Sequence, residues 1–286
     1  MLPLPDSLIW GALALAVLFA LLRQRLPAFG LLGLSLLLAL WLGRITPPAL
    51  VITLAGLLLA WRTPTLPPRW ATTARVALIV WSLALTLHFI PGFSNLKVLD
   101  KVLAGPGSVP FNMYLNLDKP LLIFALLLAF PTLLGKGGII RWRPLALLIL
   151  PLAALFGIAW QLGALRPEVG LPHWWWLFAL NNLLFTCVAE EALFRGAIQQ
   201  ELASRSKPWF AIVTSALLFG AIHLPGGPLL ALFATLAGCC YGLAFQLSGR
   251  LSIAIAVHFA LQLRTSGTLH LSAGQSLTVN CAASCP

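Results

Sequence analysis

The stretch Ala189-Glu190-Glu191-Ala192-Leu193-Phe194-Arg195-Gly196 sets two carboxylates side by side, with a guanidinium four residues on, deep in an apolar run. The run leading into it, Trp174 to Val188, is interrupted by Asn181, Asn182 and Thr186. The other acidic residues, Asp6, Asp100, Asp118, Glu168 and Glu201, fall in loops or near segment ends. A carboxylate inside a bilayer costs on the order of 3 kcal/mol by insertion scales, so such residues face the bundle interior and mark function. On a helix, Glu191 and Arg195 share a face and form an i,i+4 ion pair with the acid first, the better order. Glu190 points ~100° away. Asn182, Thr186 and Glu190 make a second polar stripe at i, i+4, i+8. One glutamate then has a structural partner and the other is free for chemistry. The plainer alternative is a buried ion pair that fixes helix packing, with a spare acid.

Working outward, composition sets the class. The chain of 286 residues is 60% hydrophobic and only 9% charged, with a mean hydropathy of +0.95. Soluble domains average roughly 25% charged residues, so this is an integral membrane protein. The expected fold is all-α, a polytopic transmembrane helical bundle of about eight to ten spans at ~20 residues each. The net charge of +11 does not imply nucleic acid. The basic residues are scattered singly between apolar runs, without a basic patch or an RNA-binding signature. The implied partners are the lipid bilayer and whatever the buried acids act on. Met1-Leu2-Pro3-Leu4-Pro5-Asp6 lacks the basic start of a signal peptide, so the first apolar segment is expected to be retained. Cys187, Cys239 and Cys240 lie in apolar segments and read as small packing residues. Cys281 and Cys285 lie in a polar tail, where their spacing fits a disulfide or a metal site equally weakly.

Apolar segments run over 8–22, 26–43, 47–61, 75–90, 119–134, 144–162, 174–198, 208–224, 228–247 and 251–263. Pro131 and Pro151 fall inside two of them and predict kinks. The longest connection, 91–118, is expected to hold a short interfacial helix. Trp174-Trp175-Trp176 reads as an interfacial anchor. Three regions follow: 1–165, transmembrane and without motifs; 166–264, a core that holds the adjacent acids; and 265–286, a Ser/Thr/Gly-rich tail expected to be disordered. With ten spans, Arg23, Arg25, Arg62, Arg69, Arg75, Lys136, Arg141, Arg143, Arg205, Lys207 and Arg250 fall in odd-numbered connections. Arg44, Lys97, Lys101, Lys119, Arg166 and Arg264 fall in the even ones and the tail. This bias places the odd connections in the cytoplasm, of a bacterial inner membrane on the chain's size and basic loops.

Three histidines lie in apolar segments. His88, near a segment end, reads as structural or interfacial. His223 closes the run Phe219-Gly220-Ala221-Ile222-His223, and His258 stands one turn before Gln262 on the same face. About the turn at Ser206 and Lys207, Glu190 and His223 reach one level, ~25 Å along their helices. His258 lies ~13 Å from its own turn at Gly249, so all three meet if the first hairpin projects ~12 Å beyond the membrane. The polar tip from Gln199 onward suits that. Gly238-Cys239-Cys240-Tyr241-Gly242 is a small-xxx-small pattern, read as close helix packing without chemistry.

In that order, Glu190-Glu191-Ala192-Leu193-Phe194-Arg195, then Phe219 to His223, then His258-Phe259-Ala260-Leu261-Gln262 resemble the three motifs of one family. It comprises the intramembrane endopeptidases that include CAAX prenyl proteases and bacteriocin-processing or lysostaphin-resistance-like proteins. The resemblance covers roughly 174–264, with one departure: Gln262 stands where the family has Asn or Asp. It implies hydrolysis of a peptide bond in a membrane-associated protein, C-terminal or prenylated, with Glu190, Glu191, Arg195, His223, His258 and Gln262 as site residues. Glu190 would be the general base and Glu191 would hold Arg195. His223 and His258 would either ligate Zn²⁺ or donate hydrogen bonds to an oxyanion, and glutamate-type catalysis is the preferred of the two. Two other classes compete. A non-catalytic immunity or scaffold partner of the same fold is favoured by Gln262. A proton-coupled transporter would use Glu and His as a relay, but lacks the inverted repeat such proteins show.

Overall fold

The computed structural model describes residues 4–103, 108, 110–167, 172–267 and 269–271. Each expected apolar segment is a helix or contains one: α1 (Leu4–Leu21), α2 (Arg25–Trp41), α3 (Pro47–Arg62), α4 (Pro68–Thr86), α5 (Leu121–Ala129), α6 (Trp142–Gln161), α7 (Trp175–Ala203), α8 (Pro208–Ala221), α9 (Pro228–Ser248) and α10 (Leu251–Gly267). Proline stands in the first turn of α3, α4, α8 and α9, where its missing N–H is no loss. Gly249, at φ 62°, takes the left-handed turn that ends α9.

Among the described residues, four helices are long and apolar enough to cross a membrane: the stretch Pro47–Thr65, then Trp142–Gln161, Trp175–Ala203 and Pro228–Ser248. Others are shorter, and α5 has only nine residues. The fold is mostly helical, as expected, with two small antiparallel sheets beside the helices among the described residues. In the connection 91–118, β1 (Leu96–Val102) pairs with β2 (Phe111–Leu115) instead of forming a helix. Phe111-Asn112-Met113-Tyr114-Leu115 alternates with period two, the pattern of a half-buried strand. The hairpin lays Phe111 and Met113 on Trp174 and Phe178 at the start of α7. Trp174 is therefore buried, and within the predicted anchor only Trp176 is largely exposed. β3 (Leu165–Pro167) pairs with β4 (Leu269–Leu271), so part of the expected disordered tail is a strand. Glu168, Cys281 and Cys285 lie outside the described residues.

The prolines act as breaks. Helix α5 stops before Pro131, and α6 is interrupted at Leu148, three residues before Pro151. Leu121 through Leu126 are all 0% exposed, which places α5 at the centre of the core against α3, α4 and α7. Leu37, Trp41, Val51, Leu58, Leu147 and Leu150 point outward instead. Apolar residues outside and ionised residues inside is the arrangement lipid imposes. Odd-numbered connections meet at one end of the bundle: Arg23 donates to Gly135 O, Gly137 N–H donates to Gly249 O, and Arg205 donates to Thr72 at the start of α4. Even-numbered ones meet at the other, where Thr46 N–H donates to Gly92 O.

Candidate active site

The site is built on α7. It is one continuous helix in which Asn182–Cys187 and Ala192–Gln199 are wound as looser π turns on either side of Val188–Glu191. Such turns recur at functional sites. Glu191, Arg195 and Gln199 form a buried ladder on one face. Arg195 donates to Glu191 Oε1 at 3.1 Å and to the Gly238 carbonyl at 2.9 Å. Gln199 donates to the Gly242 carbonyl at 3.1 Å. The small-xxx-small pair on α9 is thus more than close packing: its two carbonyls receive this ladder. A Cβ at Gly238 would stand 3.1 Å from Arg195 Nη2, and one at Gly242 would stand 2.8 Å from Gln199 Oε1. Gln199, expected in a projecting polar tip, is 1% exposed. The neighbouring Gln200 bonds Thr132, and Glu201 pairs with Arg75 and Arg205.

His258 is brought to the same place from α10. Its Nδ1 lies 2.8 Å from Glu191 Oε1 and its Nε2 lies 3.8 Å from Glu190 Oε2. Tyr241 of α9 stacks on the ring, with centroids 4.5 Å apart and planes at 16°. Phe219 of α8 meets it edge-on and contacts His223 at 4.7 Å between centroids. The same Phe219 ring lies 4.7 Å from the Arg195 guanidinium. His223 sits just past the end of α8, where Nδ1 bonds the Phe219 carbonyl at 2.7 Å. Gln262 Nε2 is 3.4 Å from His258 Nε2, so the longer amide still reaches the imidazole.

Glu190 departs from expectation. It is not the unpaired acid: Lys119, at the entrance to α5, donates to its Oε1 at 2.6 Å. Both side chains are at most 5% exposed. Glu190 Oε2 is buried, without a hydrogen-bond partner among the described residues. The sequence reading put Lys119 among the loop basics. The available signal was its position directly before Pro120 and the wholly apolar run Leu121–Ala129. Asp118, also assigned to a loop, is 1% exposed and bonds His88 Nδ1 at 2.6 Å. His88, expected to be structural or interfacial, has φ 58° and is held by that carboxylate. Asn182 and Thr186 are buried along the Glu190 stripe.

For zinc, both histidines have Nδ1 tied to an acceptor, as a metal-bound imidazole does. The rest of the donor set does not fit. Among the described residues no three His, Cys, Asp or Glu side chains stand together as a metal site. Glu190, the acid that would complete one, is already paired through Oε1 with the Lys119 ammonium.

No curated protein and no solved structure matches the chain. Over residues 172–263, a segment that holds all six candidate site residues, on α7, just past α8 and on α10, but not Lys119, it matches the family of type II CAAX prenyl endopeptidases described as Rce1-like.

Proposed function

We propose that this membrane protein is an intramembrane endopeptidase of the glutamate type, cutting a peptide bond near the C-terminus of a prenylated or otherwise membrane-associated protein. The observation that supports it best is Glu190. One carboxylate oxygen is fixed by Lys119, and the other is buried and turned to His258 Nε2 at 3.8 Å.

Glu190 Oε2 takes a proton from a water, and the resulting hydroxide adds to the scissile carbonyl carbon. His223, whose Nδ1 proton is committed to the Phe219 carbonyl, accepts the water's second hydrogen bond through Nε2. The negative charge on the carbonyl oxygen meets the Gln262 amide and, when its Nε2 is protonated, His258. Glu190 then passes its proton to the leaving nitrogen as the carbon–nitrogen bond breaks. Zinc has no step in this scheme, and the membrane is proposed to be a bacterial inner membrane.

The test is cleavage of a fluorogenic prenylated peptide by the purified, reconstituted chain. Wild type should cut it, with or without a chelator, and Glu190→Gln should not. Wild type indistinguishable from Glu190→Gln would favour the non-catalytic partner instead. Loss of activity on chelation, restored by zinc, would replace the glutamate mechanism with a metal one.

A further inference from the structure

We infer that Lys119, outside the segment that matches the family, is the positioning residue of the Glu190 carboxylate. The inference rests on Glu190 being the base. Two adjacent buried carboxylates with one guanidinium would leave a net buried charge, which is costly in a low dielectric. Lys119 removes it: Glu190 pairs with Lys119 and Glu191 with Arg195, two acids against two cations. The ammonium also breaks the symmetry of the carboxylate. With Oε1 held at 2.6 Å, Oε2 is the oxygen left facing His258.

Lys119 is itself anchored from outside α7. Its N–H donates to Asp118 Oδ1 at 2.9 Å, and Asp118 Oδ2 bonds His88. Asn95 ties the same turn by accepting from Leu117 N–H at 2.8 Å. Behind it, α5 begins at Leu121 in the most buried part of the core. The region without motifs thus supplies a rigid arm that ends on the base.

The experiment measures kcat and KM on the prenylated peptide for the full reconstituted chain, with thermal stability beside each value. Lys119→Met should lower kcat by about 100-fold, the loss expected from a misplaced reacting group, and leave KM nearly unchanged. Lys119→Arg should recover most of kcat and Lys119→Gln should not. Adding Lys119→Met to Glu190→Gln should slow nothing further, and should raise the melting temperature above that of Glu190→Gln alone. A stable Lys119→Met with wild-type kcat overturns the inference. Should that variant not fold, Lys119→Gln as active as Lys119→Arg overturns it equally. In both cases an active wild type beside an inactive Glu190→Gln leaves the peptidase reading standing.

Discussion

His258 Nδ1 lies 2.8 Å from Glu191 Oε1, the same oxygen that accepts from Arg195 at 3.1 Å. Glu191 is therefore more than the partner of a buried guanidinium. It joins the Arg195 ladder to the imidazole and fixes which nitrogen of His258 faces Glu190. A carboxylate bonded to the far nitrogen of a histidine sets both ring orientation and tautomer.

Removal of Glu191 should separate these two tasks. Glu191→Leu leaves Arg195, 0% exposed, without its acid. Breaking one half of a buried pair costs ~3–5 kcal/mol. The double change Glu191→Leu with Arg195→Met should restore much of that stability, because no lone charge remains. Activity should stay at least about tenfold down, because the His258 ring has lost the acceptor that aims it. Melting temperature and cleavage rate for both variants check this. Full activity in the double variant would reduce Glu191 to a structural acid.

Tyr241 should act through the same ring. It is 2% exposed and nearly parallel to His258. Tyr241→Phe keeps the stacked face and should keep the rate. Tyr241→Leu removes a contact worth about 0.5–1.5 kcal/mol and should lower kcat more than it lowers the melting temperature. Equal losses in the two variants would point to the hydroxyl instead of the stack.

Neither glycine of α9 that faces the ladder should tolerate a methyl. At Gly238 a methyl meets Arg195 Nη2 at 3.1 Å and a Phe219 ring carbon at 3.2 Å, both locked in the core. Gly238→Ala should cost about 1–3 kcal/mol, the usual penalty of overpacking. At Gly242 a methyl meets Gln199 Oε1 at 2.8 Å and Ile212 Cγ2 at 3.1 Å, and moving Gln199 would break its bond to the Gly242 carbonyl, so Gly242→Ala should cost about 1–3 kcal/mol as well. Gly11 in α1 has nothing within 4 Å of such a methyl, and Gly11→Ala is the control that should not destabilise. Thermal unfolding in detergent orders the three.

Sidedness is open to direct labelling. The odd-numbered connections share one end of the bundle, and the basic bias predicts that this end is cytoplasmic. A single cysteine introduced as Ser206→Cys, in a chain cleared of its native cysteines, should resist an impermeant thiol reagent added to intact cells. It should react in inverted vesicles. The opposite result would turn the whole bundle over.

Helix positions and the main site histidines were legible in the sequence because both follow from local periodicity. An apolar run must satisfy its backbone internally, so each segment became a helix or held one. Spacing by four put Glu191 with Arg195 and His258 with Gln262 before any fold was known. Periodicity says which residues share a face but not what that face meets. The Lys119–Glu190 bond spans 71 positions, and the carbonyls that receive Arg195 and Gln199 lie 43 positions away. The β1–β2 hairpin was missed because two short alternating strands among Gly and Pro give a weak signal beside helix-length apolar runs. The chain by itself determined a pair of acids inside an apolar helix, with two histidines on or just past helices that follow. Only tertiary packing decided that the first acid is held by a lysine from the region without motifs, because burying two carboxylates demands two cations and the second comes from the turn before α5, 71 positions away.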